Sequence, residues 1–305
     1  MTDKQWTPDV LVLGPGGVKG FLELGALLVL EAGGMLANVH TYSGVSVGSL
    51  IALLLVAGYK VKEIISESVD ANLFQDISKL NISDIRDKVG LISNEPLKRK
   101  ATNLLSVKYG FVPTLKQLYL WTALKFEAVT LNLDSVDGVE YLSYETEPDL
   151  PCVDAVMLSM NIPLLFYKLK YKDNIYVDGA LGNPYPVDRY DCGENKVLGL
   201  YIESSRPGFK EMADSTTSVY FGRVIESTMR QLRLRIVSTS TNRCKHLPLS
   251  TSVLDTTGLT VTVENKADMI MDGYKAALEF TKAKDKISDS SSEEESSSQQ
   301  INQKD

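Results

Sequence analysis

The order of apolar and polar positions predicts alternating strands and helices from the start of the chain. Val10-Leu11-Val12-Leu13 is a compact apolar run bounded by Pro8 and Gly14, the pattern of a strand covered on both faces. The stretch from Phe21 to Ala32 is apolar nearly all round (Phe21, Leu22, Leu24, Leu27, Leu28, Val29, Leu30), which predicts a buried helix closed by Gly33-Gly34. Val39 to Ser43 then reads as a second strand, and the run Leu50 to Ala57 as a second buried helix. Two strand–helix units before Gly58 predict an open, largely parallel sheet covered by helices.

Residues 61–108 read as mostly helical, with one amphipathic segment starting at Lys60 and another at Asn94-Glu95-Pro96, where proline suits a first helical position. Thr114 to Leu118 is a short threonine-capped helix. Phe126 to Leu133 and Val139 to Tyr144 alternate as strands around Asp137-Gly138, a hairpin signal. Asp154 to Asn161 predicts a helix, Leu164 to Tyr171 a strand, and Ile175 to Val177 a strand ending at Asp178. Val197 to Ile202 is one more buried strand, and helices are expected over Ser218 to Ser238 and from about Ala267 to Ala283. From Asp285 the chain turns to serine, glutamate and glutamine, which cannot offset their ordering entropy. The expectation is a three-layer α/β/α domain over 1–284, followed by a disordered acidic tail over 285–305.

Composition narrows the function more than the fold. The 305 residues are 44% hydrophobic and 23% charged, with a net charge of −7 that argues against nucleic acid as a partner. Three scattered cysteines (Cys152, Cys192, Cys244) suggest no disulfide framework, and no C-x-x-C or His-x-x-x-His spacing suggests a metal site. The polar N-terminus has no signal-peptide core, and Leu50 to Ala57 is far short of the ~20 apolar residues a membrane span needs. These features predict an intracellular protein that is soluble or bound to a membrane only at its surface. Arg223, Arg230, Arg233 and Arg235 on the late helix leave open a peripheral contact with anionic lipid.

The candidate chemistry sits at the two early turns. Gly44-Val45-Ser46-Val47-Gly48 is a G-x-S-x-G pentapeptide between a strand and a helix, the nucleophile-elbow arrangement that exposes a serine at a strained corner. Gly14-Pro15-Gly16-Gly17-Val18-Lys19-Gly20 fails as a Walker A loop and misses the dinucleotide spacing, and the second strand ends in no acid for a ribose. Adjacent parallel strands would instead aim its backbone N–H groups at Ser46, where Gly16 and Gly17 could hold an oxyanion. Asp178, followed by Gly179-Ala180 at a strand end, is the candidate base, since burial would raise a carboxylate above its usual ~3.9. His246 offers a Ser46–Asp178–His246 alternative in the chain order of α/β-hydrolases.

Taken together and in this order, Gly16-Gly17-Val18-Lys19-Gly20, Gly44-Val45-Ser46-Val47-Gly48 and Asp178-Gly179-Ala180 resemble the patatin-like phospholipases. Leu24-Gly25-Ala26-Leu27, Asn161-Ile162-Pro163 and Asn183-Pro184-Tyr185-Pro186 add to the match, which covers roughly residues 10–202. The resemblance implies a patatin-like fold, a lipid substrate and hydrolysis of ester-linked acyl chains without metal or cofactor. By position it implies Ser46 as nucleophile, Asp178 as base, and Gly16, Gly17 and Lys19 as oxyanion-hole amides. Pro15 stands where the family has a glycine and has no N–H to give, and Lys19 replaces the usual arginine. A lipid-binding protein on the same fold that has lost turnover is the alternative.

Overall fold

A computed structural model of the chain describes residues 6–69, 88–203, 217–252 and 261–301, with side chains omitted at 217–221 and 283–301. Its centre is an eight-stranded sheet. β1 (Val10–Leu13) lies between β2 (Thr41–Val45) and β9 (Val197–Ile202), and β10 (Cys244–Leu249) forms the edge beyond β9. All of these pair in parallel, as does β2 with β4 (Lys125–Asn132). β10 was not evident in the sequence because Pro248 interrupts it; an edge strand tolerates a proline that a central strand would not.

The far side of the sheet departs from the parallel pattern. β5 (Val139–Leu142), β8 (Asn174–Asp178) and β7 (Leu169–Tyr171) run antiparallel to their neighbours. The expected strand from Leu164 to Tyr171 is two strands in two sheets. β6 (Leu164–Phe166) pairs with β3 (Gly90–Ile92), itself a short strand inside the region expected to be helical. The chain leaves that small sheet at Tyr167 and Lys168, whose amides bond the Ile92 and Lys88 carbonyls, before joining β8 as β7.

One face of the large sheet carries the main core, with Leu11, Leu13, Tyr42 and Ala128 facing α1 (Gly20–Ala32), α2 (Val47–Val56) and α6 (Cys152–Ser159). The expected helical stretch 61–108 contains α3 (Val61–Val69) and α4 (Glu95–Tyr109); residues 70–87 lie outside the described ones. Thr114 caps α5 (Leu115–Thr122) reciprocally with Gln117, as a capping box. The other face carries Val10, Val12 and Val197 under α7 (Thr217–Thr239). The last helix, α8 (Val263–Ile301), packs along α1; its backbone continues through the serine- and glutamate-rich stretch for which disorder was expected. No helix among the described residues is long and apolar enough to cross a membrane.

Helices α1 and α8 touch through glycines. A Cβ on Gly25 would run into the Ile270 carbonyl, and one on Gly273 into the Leu22 carbonyl. Backbone cannot move aside as a side chain can, so Gly273→Ala is expected to cost about 1–3 kcal/mol, as overpacked sites do. A thermal melt showing no loss of stability would contradict this packing.

Candidate active site

The site is built where strand β4 changes partner. β2 pairs with β4 up to Val45↔Val129, and β8 pairs with it from Thr130↔Asp178 onward. β5 pairs with both Val129 and Thr130, so it occupies the opposite edge, and β2 and β8 follow one another along the same edge. Ser46 leaves β2 at the point where Asp178 arrives on β8. Asp178 stands at the end of its strand, as expected, and that strand runs antiparallel to β4, so it descends to the depth at which Ser46 leaves β2.

Ser46 sits at the corner with φ 55° and ψ −128°, a conformation that costs a non-glycine residue ~1–3 kcal/mol. Flanking glycines let the turn close. A Cβ on Gly44 would strike the Gly48 carbonyl, and one on Gly48 the carbonyls of Leu13 and Gly14. Ser49 holds the Ser46 carbonyl through its hydroxyl (2.6 Å) and its amide (2.9 Å). The Ser46 hydroxyl does not cap α2. It lies close enough to the Asp178 carboxylate to act on its pKa, which it lowers.

Both residues are enclosed: Ser46 is 3% and Asp178 5% exposed. Burial raises Asp178 from 3.8 to about 6, against the lowering influence of the Ser46 hydroxyl and the Ala180 amide, which donates to Oδ1 at 2.9 Å. Beneath them Val45, Val129 and Ala180 pack with Tyr141 and with Met229 of α7.

The first glycine turn lies beside the elbow at the same sheet edge, because β1 and β2 are in register at Leu13↔Gly44. Gly20 packs on Val47, and Gly17 takes a left-handed φ of 55°. The Lys19 amide, expected among the oxyanion donors, is bonded to the Gly16 carbonyl at 3.0 Å and closes the turn instead. Among the described residues no acceptor takes the Gly16 or Gly17 amide. Glu23 is fully buried below the turn, and among the described residues neither carboxyl oxygen has a hydrogen-bond partner, so desolvation holds its pKa well above 4.5; the Gly14 amide dipole offsets only part of this.

His246 is not part of this group. It stands on β10, three strands from β2, and its Nδ1 lies 2.9 Å from the Tyr185 hydroxyl. At ~4.8 Å between strands that is ~14 Å of sheet, which removes the triad alternative. The arginine face of α7 is also smaller than expected. Arg233 turns inward, donating to the Ile202 carbonyl at 3.0 Å and lying over the Tyr201 ring.

Sequence reasoning missed the residues that hold the two candidate residues in place. Ser159 Oγ accepts from the Ser46 amide at 3.0 Å, and the Asn161 carbonyl accepts from the Asp178 amide at 2.9 Å. On the opposite face Glu127, fully buried, takes Ser43 (3.1 Å), Tyr190 (2.6 Å) and Arg189 (3.1 Å). Only Asn161-Ile162-Pro163 carried a signal in the sequence. The others depend on strand pairings that no local pattern reveals.

A strained serine at a strand–helix corner beside a buried carboxylate is the geometry this α/β fold presents. A family model described as patatin-like phospholipase matches residues 11–189, and the chain belongs to that family. It is 31% identical over 198 residues to a probable lipid hydrolase (463L) of Invertebrate iridescent virus 6, covering 63% of this chain and 67% of that protein. An uncharacterized protein (R571) of Acanthamoeba polyphaga mimivirus is 27% identical over 198 residues, covering 62% of this chain and 64% of the relative. Among solved structures, VipD from Legionella pneumophila superposes with a TM-score of 0.56 at 17% identity, over 91% of this chain and 67% of VipD. The effector ExoU of Pseudomonas aeruginosa gives 0.50 at 17%, over 89% of this chain and 52% of ExoU. These likenesses carry the mixed α/β fold, and family membership makes the chain an enzyme of lipid hydrolysis.

Glu23 gives the region a measurable pH dependence. A carboxyl raised on folding contributes stability that is complete below pH 4.5 and declines as pH rises toward its folded value. Glu23→Gln is therefore expected to flatten the fall in Tm as pH rises above 4.5. An unchanged slope would show that Glu23 is not held neutral.

Proposed function

We propose that the protein cleaves ester-linked acyl chains from phospholipids or related lipids, with Ser46 as nucleophile and Asp178 as base. The observation that carries this reading is the approach of the Ser46 hydroxyl to a buried carboxylate raised to about 6. Such a carboxylate is a better proton acceptor than a solvated aspartate and is still ionised near neutral pH. Ser46 Oγ attacks the ester carbonyl and Asp178 takes its proton. The amides of Gly16 and Gly17 then stabilise the tetrahedral oxyanion, at ~3 kcal/mol for each effective donor. Breakdown expels the alcohol, which recovers the proton from Asp178 and leaves the acyl chain on Ser46. Water, activated by the same carboxylate, releases the fatty acid.

Arg230 and Arg235 are exposed on α7, where they can meet an anionic lipid surface. The three cysteines are free thiols, which fits a reducing, intracellular site of action.

Steady-state hydrolysis of a phospholipid and of a soluble ester tests the assignment. Ser46→Ala and Asp178→Asn are each expected to lower kcat by at least ~10³-fold, while His246→Ala keeps its rate. Wild-type activity in Ser46→Ala, or its loss in His246→Ala with the fold intact, would overturn the mechanism. Because the base must be ionised, kcat/KM is expected to rise with pH through about 6 and then level. A flat profile between pH 5 and 8 would exclude Asp178 as the base.

A further inference from the structure

The turn that ends α6 touches both halves of the dyad. Ser159, its last helical residue, is fully buried and accepts the Ser46 amide at 3.0 Å. Two residues on, the Asn161 carbonyl accepts the Asp178 amide at 2.9 Å, and Asn161 Nδ2 donates to the Tyr176 carbonyl at 2.8 Å. Asn161 thus holds β8 through one backbone and one side-chain bond. Thr130 Oγ1 lies 3.0 Å from the Leu158 carbonyl and 3.1 Å from that of Val177, tying the turn to β4 and β8 where the edge changes hands.

We infer that Ser159 and Asn161 are positioning residues that set the distance between the Ser46 hydroxyl and the Asp178 carboxylate, and this rests on the hydrolase reading above. β2 and β8 meet end to end along β4, which sets their register, but they share no ladder with each other. The α6 turn adds a second bridge between the two strand ends. The bond to Ser159 also occupies the Ser46 amide, which is a buried donor at a strained corner. With its acceptor gone, that corner can relax and carry Oγ away from the carboxylate. A misplacement of about 1 Å at a reacting group costs on the order of 10²-fold in rate.

The test compares wild type with Ser159→Ala, Ser159→Cys and Ser159→Thr in kcat, KM and pH profile on a soluble p-nitrophenyl ester, with Tm measured alongside. Ser159→Ala is expected to lose about 10- to 100-fold in kcat with KM within about 2-fold. Its acid limb is expected to move to higher pH, because the ionised carboxylate loses the Ser46 hydroxyl that stabilises it. Ser159→Thr restores the acceptor and is expected to regain most of the rate. Ser159→Cys keeps the volume with a weaker acceptor, and carries the comparison if the alanine variant does not fold. A lower Tm with unaltered kcat and acid limb would make the bond merely structural and overturn the inference. A wild type that hydrolyses neither ester nor lipid would overturn the hydrolase reading first, and this one with it.

Discussion

The constraint on which the site depends is the handover on one edge of β4. Val129 is the last residue there to face β2, and Thr130 the first to face β8. A parallel strand leaving and an antiparallel strand arriving put Ser46 and Asp178 side by side, although 131 residues lie between them in the chain. The surrounding glycines serve that meeting. Gly48 lets the end of β1 press against the elbow, and Gly179 lies against the Val129 carbonyl with no room for a side chain. The strain at Ser46 is held by what surrounds it, from the Ser49 bonds on its carbonyl to the Ser159 bond on its amide.

Burial then supplies the electrostatics. The Ala180 amide donates to the Asp178 carboxylate and the Ser46 hydroxyl also lowers its pKa, but desolvation outweighs both and raises it to about 6. On the other face the buried Glu127 accepts from Arg189, Tyr190 and Ser43. The network at Glu127 braces the segment that follows Asp178, since Arg189 and Tyr190 come from it.

Much of this was legible in the sequence, because the relevant signals are local. The apolar run of β1, the G-x-S-x-G corner and the glycine turn each declare themselves within a few residues, and Asp178-Gly179-Ala180 joins them by family resemblance. What stayed hidden was non-local. The antiparallel direction of β8 and the split between β6 and β7 depend on contacts across the sheet. Ser159 illustrates the limit: at the end of an apolar helix it reads as a small residue, and only the fold places it under Ser46. His246 fails in the opposite sense, since chain order suggested a triad that strand order forbids.

The central claim is that Ser46 is made nucleophilic by Asp178 without an imidazole. Fluorophosphonate labelling followed by peptide mapping tests it most directly. The account predicts a single adduct on Ser46 in wild type and in His246→Ala, and labelling slowed by at least ~10²-fold in Asp178→Asn. An adduct on another residue, or undiminished labelling of Ser46 once Asp178 has lost its charge, would contradict it.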